Sequence, residues 1–171
     1  MCCKLLTVMA LAKPAQKWCP DCAIGTGCKI YETRPEECRN FYCGWMIDAT
    51  VPEHWAPKQS RMVLAYNLKQ NQIMIHVDAD RAGIWHTRPY VDDLHVWAKH
   101  AAKEGRMLLL RAGREVWALL PDRPKNLGEV RDDQVALGVS EKTPRGTRYD
   151  VIVVDADDPR IAKAKGQAKA E

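Results

Sequence analysis

The sequence predicts an α+β fold, in which a loop-rich, cysteine-rich N-terminal module packs on a mostly antiparallel sheet with one long helix. Three observations predict it: six short apolar runs typical of strands, one segment with helical spacing, and seven cysteines confined to the first 43 of 171 residues. The composition, 46% apolar and 28% charged, is that of a globular protein and excludes wholesale disorder.

The predicted strands are rich in β-branched and large apolar residues and are separated by turn signals. They span residues 62–68, 72–77, 106–111, 115–120, 134–139 and 149–155. The first two flank a short polar turn and suit a hairpin, and Ala112-Gly113 forms the turn between the third and the fourth.

The long helix is predicted between Thr87, which can cap it, and Gly105, which can end it, with Pro89 in the first turn. Apolar residues recur there at three- and four-residue spacing, which gives the helix one apolar face. They are Val91, Leu94, Trp97, Ala98, Ala101 and Ala102.

The chain is expected to comprise a cysteine-rich metal-binding module (1–45), an α+β body (46–158) and a flexible tail (159–171) rich in Ala and Lys. A chain of this size buries a sizeable core without covalent cross-links. The cysteines are therefore expected to serve a purpose other than holding the whole chain together.

The net charge of +4 is spread thinly along the sequence. Residues 1–45 carry six Lys and Arg against four Asp and Glu, and residues 46–154 carry sixteen against fourteen. This distribution argues against nucleic-acid binding, which needs a basic surface, and leaves a protein partner open.

No apolar run has the length of a membrane span, so no membrane partner is expected. The first twelve residues form only a weak secretory signal, with a single lysine before a short apolar run. We therefore expect a cytoplasmic protein, in which metal binding or redox chemistry is favoured over disulfides.

The spacing of the cysteines resembles that of metal ligands. Cys19 and Cys22 form a C-x2-C pair, with which two thiolates can hold one metal from a tight turn. Gly25 and Gly27 allow the backbone to fold back and bring Cys28 close to them.

Two more cysteines follow a predicted helix start. Thr33 and Glu36 have the spacing of a capping box, which places Cys38 on a short helix. Cys43 can join the same centre only if that helix ends near Asn40.

A metal centre is the chemistry that this pattern favours. Structural zinc takes four Cys or His ligands, and iron–sulfur clusters also use four thiolates, so the spacing alone leaves zinc, iron and an iron–sulfur cluster open. The first-choice ligands are Cys19, Cys22, Cys28 and Cys38, followed by Cys43, Cys3 and Cys2. Three cationic residues are expected to moderate the negative charge from outside the ligand set: Lys29, Arg34 and Arg39.

The same stretch resembles a known family. A Cys-Cys near the N-terminus is followed by the pattern G-C-x-I-Y-E-x-R-P-x-x-C-R-x-F-x-C over residues 27–43, similar to the zinc- or iron-chelating cysteine-cluster domain of the YkgJ type. In that pattern Cys2 and Cys3 correspond to the Cys-Cys element. The resemblance covers residues 1–45 and implies metal chelation by these cysteines, with the metal left open.

Two other functions remain as alternatives to a simple metal-binding protein: a redox or metal-dependent enzyme, and a protein-interaction adaptor with a structural zinc. The enzyme is disfavoured because no histidine lies near a cysteine in a recognised catalytic pattern. His76, Asp78 and Asp80 could line one face of a strand, but a solvated strand end with turn carboxylates is the preferred interpretation.

Overall fold

The computed structural model describes residues 1–144 and 146–162. Over that part of the chain it confirms the α+β class, with mostly antiparallel pairing and one long helix. The α-helices are Cys2–Leu5 (α1), Glu36–Asn40 (α2), Gly44–Ile47 (α3), Pro57–Ser60 (α4) and Tyr90–Lys103 (α5). The strands are Cys22–Ala23 (β1), Gly27–Cys28 (β2), Met62–Asn67 (β3), Gln72–Val77 (β4), Met107–Ala112 (β5), Glu115–Leu119 (β6), Pro124–Glu129 (β7), Gln134–Thr143 (β8) and Gly146–Asp155 (β9).

The central sheet has the strand order β3-β4-β5-β6-β7. Its neighbours pair antiparallel except β4 and β5, which run parallel because α5 crosses over between them. Strand β7 was not predicted from the sequence. It begins with Pro124 at the sheet edge, and its register with β6 shifts between Val116 and Trp117.

The last two strands form one long hairpin. The predicted runs 134–139 and 149–155 extend to ten residues each and pair from Gln134 with Asp155 to Thr143 with Gly146. Val151 packs this hairpin against Leu109 and Leu120 of the body.

The main core lies between α5 and one face of the sheet. Leu94, Ala98 and Ala101 of α5 are buried with sheet residues such as Ile75 and Leu110, which confirms the predicted apolar helix face. The predicted start of the helix was wrong. It begins at Tyr90 after Pro89, and the Thr87 hydroxyl donates to the Ile84 carbonyl instead of capping the helix.

The cysteine-rich module packs against strand β3 at the edge of the sheet. Leu5 and Cys43 from the module are buried there against Val63. At Gly44 the two regions approach so closely that a Cβ atom would lie 3.0 Å from the Leu64 side chain. A glycine at this position therefore allows the module to sit directly on the body.

In the predicted tail, residues 159–162 are helical and residues 163–171 lie outside the described part of the chain. No helix within the described residues has the length and apolar character needed to cross a membrane.

Candidate metal centre

The centre is built around a small two-stranded ribbon. Strands β1 and β2 pair antiparallel, with Cys22 directly opposite Cys28. Gly25 in the turn between them and Gly27 at the start of β2 have φ +88° and +144°, conformations that L side chains rarely adopt. The predicted fold-back of this segment is thereby confirmed, and it brings the second and third cysteines of the stretch together.

Helix α1 joins this ribbon from the N-terminus. The Cys19 amide donates to the Cys3 carbonyl at 2.9 Å, and the Cys22 amide donates to the Cys19 carbonyl at 3.0 Å. The Sγ atoms of Cys2 and Cys3 lie 4.0 Å apart. The N-terminal Cys-Cys pair and the C-x2-C turn are thus held against each other by the backbone.

Cys38 completes the group from helix α2, which ends at Asn40. The short helix was predicted correctly, but its capping box was not, because Pro35 is the N-cap residue and no side chain caps the helix. Six cysteines line a single cavity of about 1010 Å³. They are Cys2, Cys3, Cys19, Cys22, Cys28 and Cys38.

The seventh predicted ligand lies elsewhere. Cys43 is 5% exposed and packs in the apolar cluster with Leu5 and Val63 at the seam between module and body. All seven cysteines are free of disulfides.

The six cavity thiols share a space without forming a closed site. Over residues 1–144 and 146–162, no three Cys, His, Asp or Glu side chains are grouped so that they could hold a metal ion. The donor set suits a thiophilic metal, whereas the thiols stand around the cavity instead of converging on one point. Metal binding by these cysteines stays a prediction.

The thiols interact electrostatically across the cavity. The contact with the Cys3 thiol is the main cause that lowers the pKa of Cys2 to about 6, which favours the thiolate form of Cys2. The same contact, with burial, raises the pKa of Cys3. Burial also raises the pKa of Cys38, and the negative charges of Cys2 and Cys19 act in the same direction.

A buried lysine beside the thiols was missed by the sequence interpretation. Lys13 is 3% exposed, and its Nζ donates to the carbonyls of Lys4 and Leu6 at the end of α1. Burial lowers the pKa of Lys13, while the thiols of Cys19 and Cys3 favour its charged form. No spacing or motif in the sequence marks this residue, because its role depends on the turn that follows α1.

The three cationic residues predicted around the site occupy different places. Lys29 and Arg34 line the cavity, and the Arg34 guanidinium lies 3.8 Å from the centre of the Tyr31 ring. Arg39 is outside the lining, where its Nε donates to the Arg34 carbonyl at 2.9 Å.

An ion-pair network fastens the module to the end of β4. Asp78 is fully buried, with the Lys4 Nζ 2.7 Å from its Oδ1 and the Arg61 Nη2 2.6 Å from its Oδ2. Lys4 also pairs with the exposed Asp80 at 2.5 Å. The preferred interpretation of a solvated strand end was therefore wrong for Asp78, which meets a lysine 74 residues away.

The charge state of Asp78 follows from these contacts. Burial favours the neutral acid, but the hydrogen bonds from Lys4 and from the Asp80 amide hold the pKa of Asp78 below its usual value. The Gln16 side chain adds two hydrogen bonds at the same strand end, to the Val77 carbonyl and from the Ala79 amide.

The histidines lie outside this centre. His54 contacts Asp93 at 2.6 Å, and the same carboxylate oxygen accepts a hydrogen bond from Trp55 at 2.8 Å. His76 pairs in register with Val63 and Arg111 in the sheet. Among the described residues, no histidine lines the cavity.

Comparison of the chain with protein-family models, with curated proteins and with solved structures yields no match.

Proposed function

We propose that residues 1–45 bind zinc or iron, the latter alone or as an iron–sulfur cluster, through the thiols of the cavity. The observation that carries the proposal is that six cysteines from three separate segments, α1, residues 19–28 and α2, line one cavity. Cysteines that serve only as small apolar core residues pack in apolar clusters, and among the described residues Cys43 has that environment, whereas the buried Cys19 lines the cavity.

The chain supplies thiolates and charge balance for such a metal. Cys19, Cys22, Cys28 and Cys38 are the first-choice ligands, and the lowered pKa of Cys2 favours its thiolate form. Because the remaining thiols must lose their protons, metal uptake should release protons and draw the cavity walls together. The bound metal would act as a cross-link between the loops of the module.

Six thiols exceed the four ligands of one tetrahedral zinc ion. The two additional thiols would allow a second metal ion, an iron–sulfur cluster, or an exchange of ligands during metal uptake. A reducing compartment such as the cytoplasm belongs to this proposal, because thiols that bind a metal must stay free of disulfides.

A second candidate function is that of a protein-interaction adaptor with a structural zinc. It is favoured by six large apolar side chains that are exposed within the first 47 residues. They are Met9, Ile24, Tyr31, Tyr42, Met46 and Ile47.

The test is anaerobic purification followed by an absorption spectrum and analysis of metal and sulfide. A brown protein with iron and sulfide supports a cluster, and a colourless protein with zinc supports a structural site. Cys19→Ser and Cys28→Ser should lose the metal, whereas Cys43→Ser is the matched control that keeps it. A wild-type protein that holds no metal after reconstitution with zinc or iron would refute the proposal.

A further inference from the structure

The cavity of the module is larger than a metal centre requires. Its volume of about 1010 Å³ is that of a spacious ligand pocket, commonly about 300–1,000 Å³. A tetrahedral zinc–thiolate site has bonds of only about 2.3 Å. The thiols therefore account for part of the lining, and other side chains define the rest.

Much of that remaining wall is apolar. Leu6, Val8 and Leu11 come from the N-terminal segment, and Ile30 and Phe41 come from the segments beside β2 and α2. Such a wall favours an apolar body in the ligand over a fully hydrated ion.

Four cationic residues from two regions of the molecule line the cavity, and besides Lys29 they are Arg34, Lys58 and Arg61. Arg34 belongs to the module, whereas Lys58 lies on α4 and Arg61 follows that helix. Arg61 has its Nη2 engaged with Asp78, and Lys58 has no ion pair with any described residue. Glu37, the carboxylate of the lining, already accepts a hydrogen bond from the Met9 amide at 2.9 Å.

Arg34 carries the clearest sign of a missing partner. Its guanidinium is stacked on the Tyr31 ring, and its Nε is buried without a hydrogen-bond acceptor in the described part of the chain. A buried N–H group of this kind is normally satisfied by protein, water or a ligand. A planar guanidinium held on an aromatic ring is also well arranged to bind a carboxylate or a phosphate.

We propose that this cavity binds an organic anion with an apolar body, whose anionic group pairs with Arg34, Lys58 and Arg61. The site uses these cations and the apolar wall and does not require the thiolates. The proposed anion site and the proposed metal site therefore use different side chains of the same cavity.

Decanoate is a suitable probe, titrated calorimetrically into the reduced full-length protein, with the uncharged decanol as its matched ligand. We expect decanoate to bind at least about tenfold more tightly than decanol, since a charge-assisted hydrogen bond contributes that much. Arg34→Gln and Lys58→Gln should each weaken decanoate about tenfold and leave decanol unchanged. Lys99→Gln on the exposed side of α5 is the matched control and should bind as the wild type does.

Three results would overturn the proposal: no decanoate binding up to millimolar concentration, equal affinity for decanoate and decanol, or wild-type affinity in the Arg34→Gln, Lys58→Gln double variant. Arg34→Lys keeps the positive charge and should recover part of the affinity, which separates charge from folding effects. The Cys19→Ser, Cys28→Ser variant separates the two proposals, because it should lose metal and keep decanoate.

Discussion

The body and the module of this protein are stabilised in different ways. The body closes around fully buried side chains such as Trp55 and Ile75, with five paired strands and a fourteen-residue helix. The module has only short elements, and its cavity lies among its loops. Its firm contacts are made with the body, at Leu5 and Cys43 and through Asp78. Apolar burial thus dominates in the body, whereas the module has few buried apolar side chains of its own and, we propose, gains order from a metal.

The largest contrast between the two regions is expected for tryptophan truncations. Trp55 is fully buried, its ring centre lies 4.6 Å from that of Trp97, and its Nε1 donates to Asp93. Trp55→Ala should lower the free energy of unfolding by about 5 kcal/mol. Trp18→Ala, which truncates a half-buried residue of the cavity wall, should cost only about 1 kcal/mol. Urea denaturation measures both, and equal losses would contradict the contrast.

The next effect concerns the attachment of the module. Asp78→Ala leaves Lys4 buried without its main partner and should cost about 3–4 kcal/mol. Asp80→Ala removes a mostly exposed carboxylate and should cost about 1 kcal/mol or less. In limited proteolysis the Asp78 variant should be cut first within residues 1–45. If cleavage began in the body instead, Asp78 would not be the residue that attaches the module to the body.

We expect the free energy of unfolding to depend on pH because of His76, a residue of the sheet and not of the module. Burial and the nearby charge of Arg111 lower the pKa of His76 from 6.5 to about 4. The unfolded chain then takes up a proton first as the pH falls, so stability is full above pH 6.5 and declines towards pH 4. The loss should reach about 3 kcal/mol. His76→Gln should remove this decline of stability with falling pH. If the variant shows the same decline as the wild type, His76 is not its cause.

The smallest effect is expected at Cys43. Cys43→Ala should lower stability by about 1 kcal/mol, because a small apolar group leaves the cluster with Leu5 and Val63. The metal content should not change. A variant that loses metal in proportion to Cys28→Ser would place Cys43 among the ligands after all.

Much of the body could be predicted because its residues follow simple periodicities. Strand β4 and helix α5 have patterns that match their buried faces. Strand β7 could not be predicted, because Pro124, Lys125 and Asn126 are residue types with low strand propensity. It forms because β6 offers an edge with which it can pair. The outer half of the β8–β9 hairpin could not be predicted either, because it is largely exposed and its sequence does not alternate between apolar and polar residues.

The candidate site also has features that could be predicted from the sequence and features that could not. Cysteine spacing and the glycine turn predicted the grouping of Cys22 with Cys28, since that grouping is local. Lys13 and Asp78 could not be predicted, because their burial results from contacts between distant segments. Cys43 has ligand-like spacing in the sequence but is drawn into the core by the close approach of α3 to β3.

The most direct test of the central claim is hydrogen exchange of the reduced protein with and without zinc. If the cavity thiols bind the metal, the amides of Cys19, Cys22 and Lys29, which hold the ribbon together, should exchange at least about tenfold more slowly with zinc. Amides of β4 and β5 in the body should exchange at unchanged rates. Unchanged exchange throughout residues 1–45 at saturating zinc would contradict the claim that these cysteines form a metal centre.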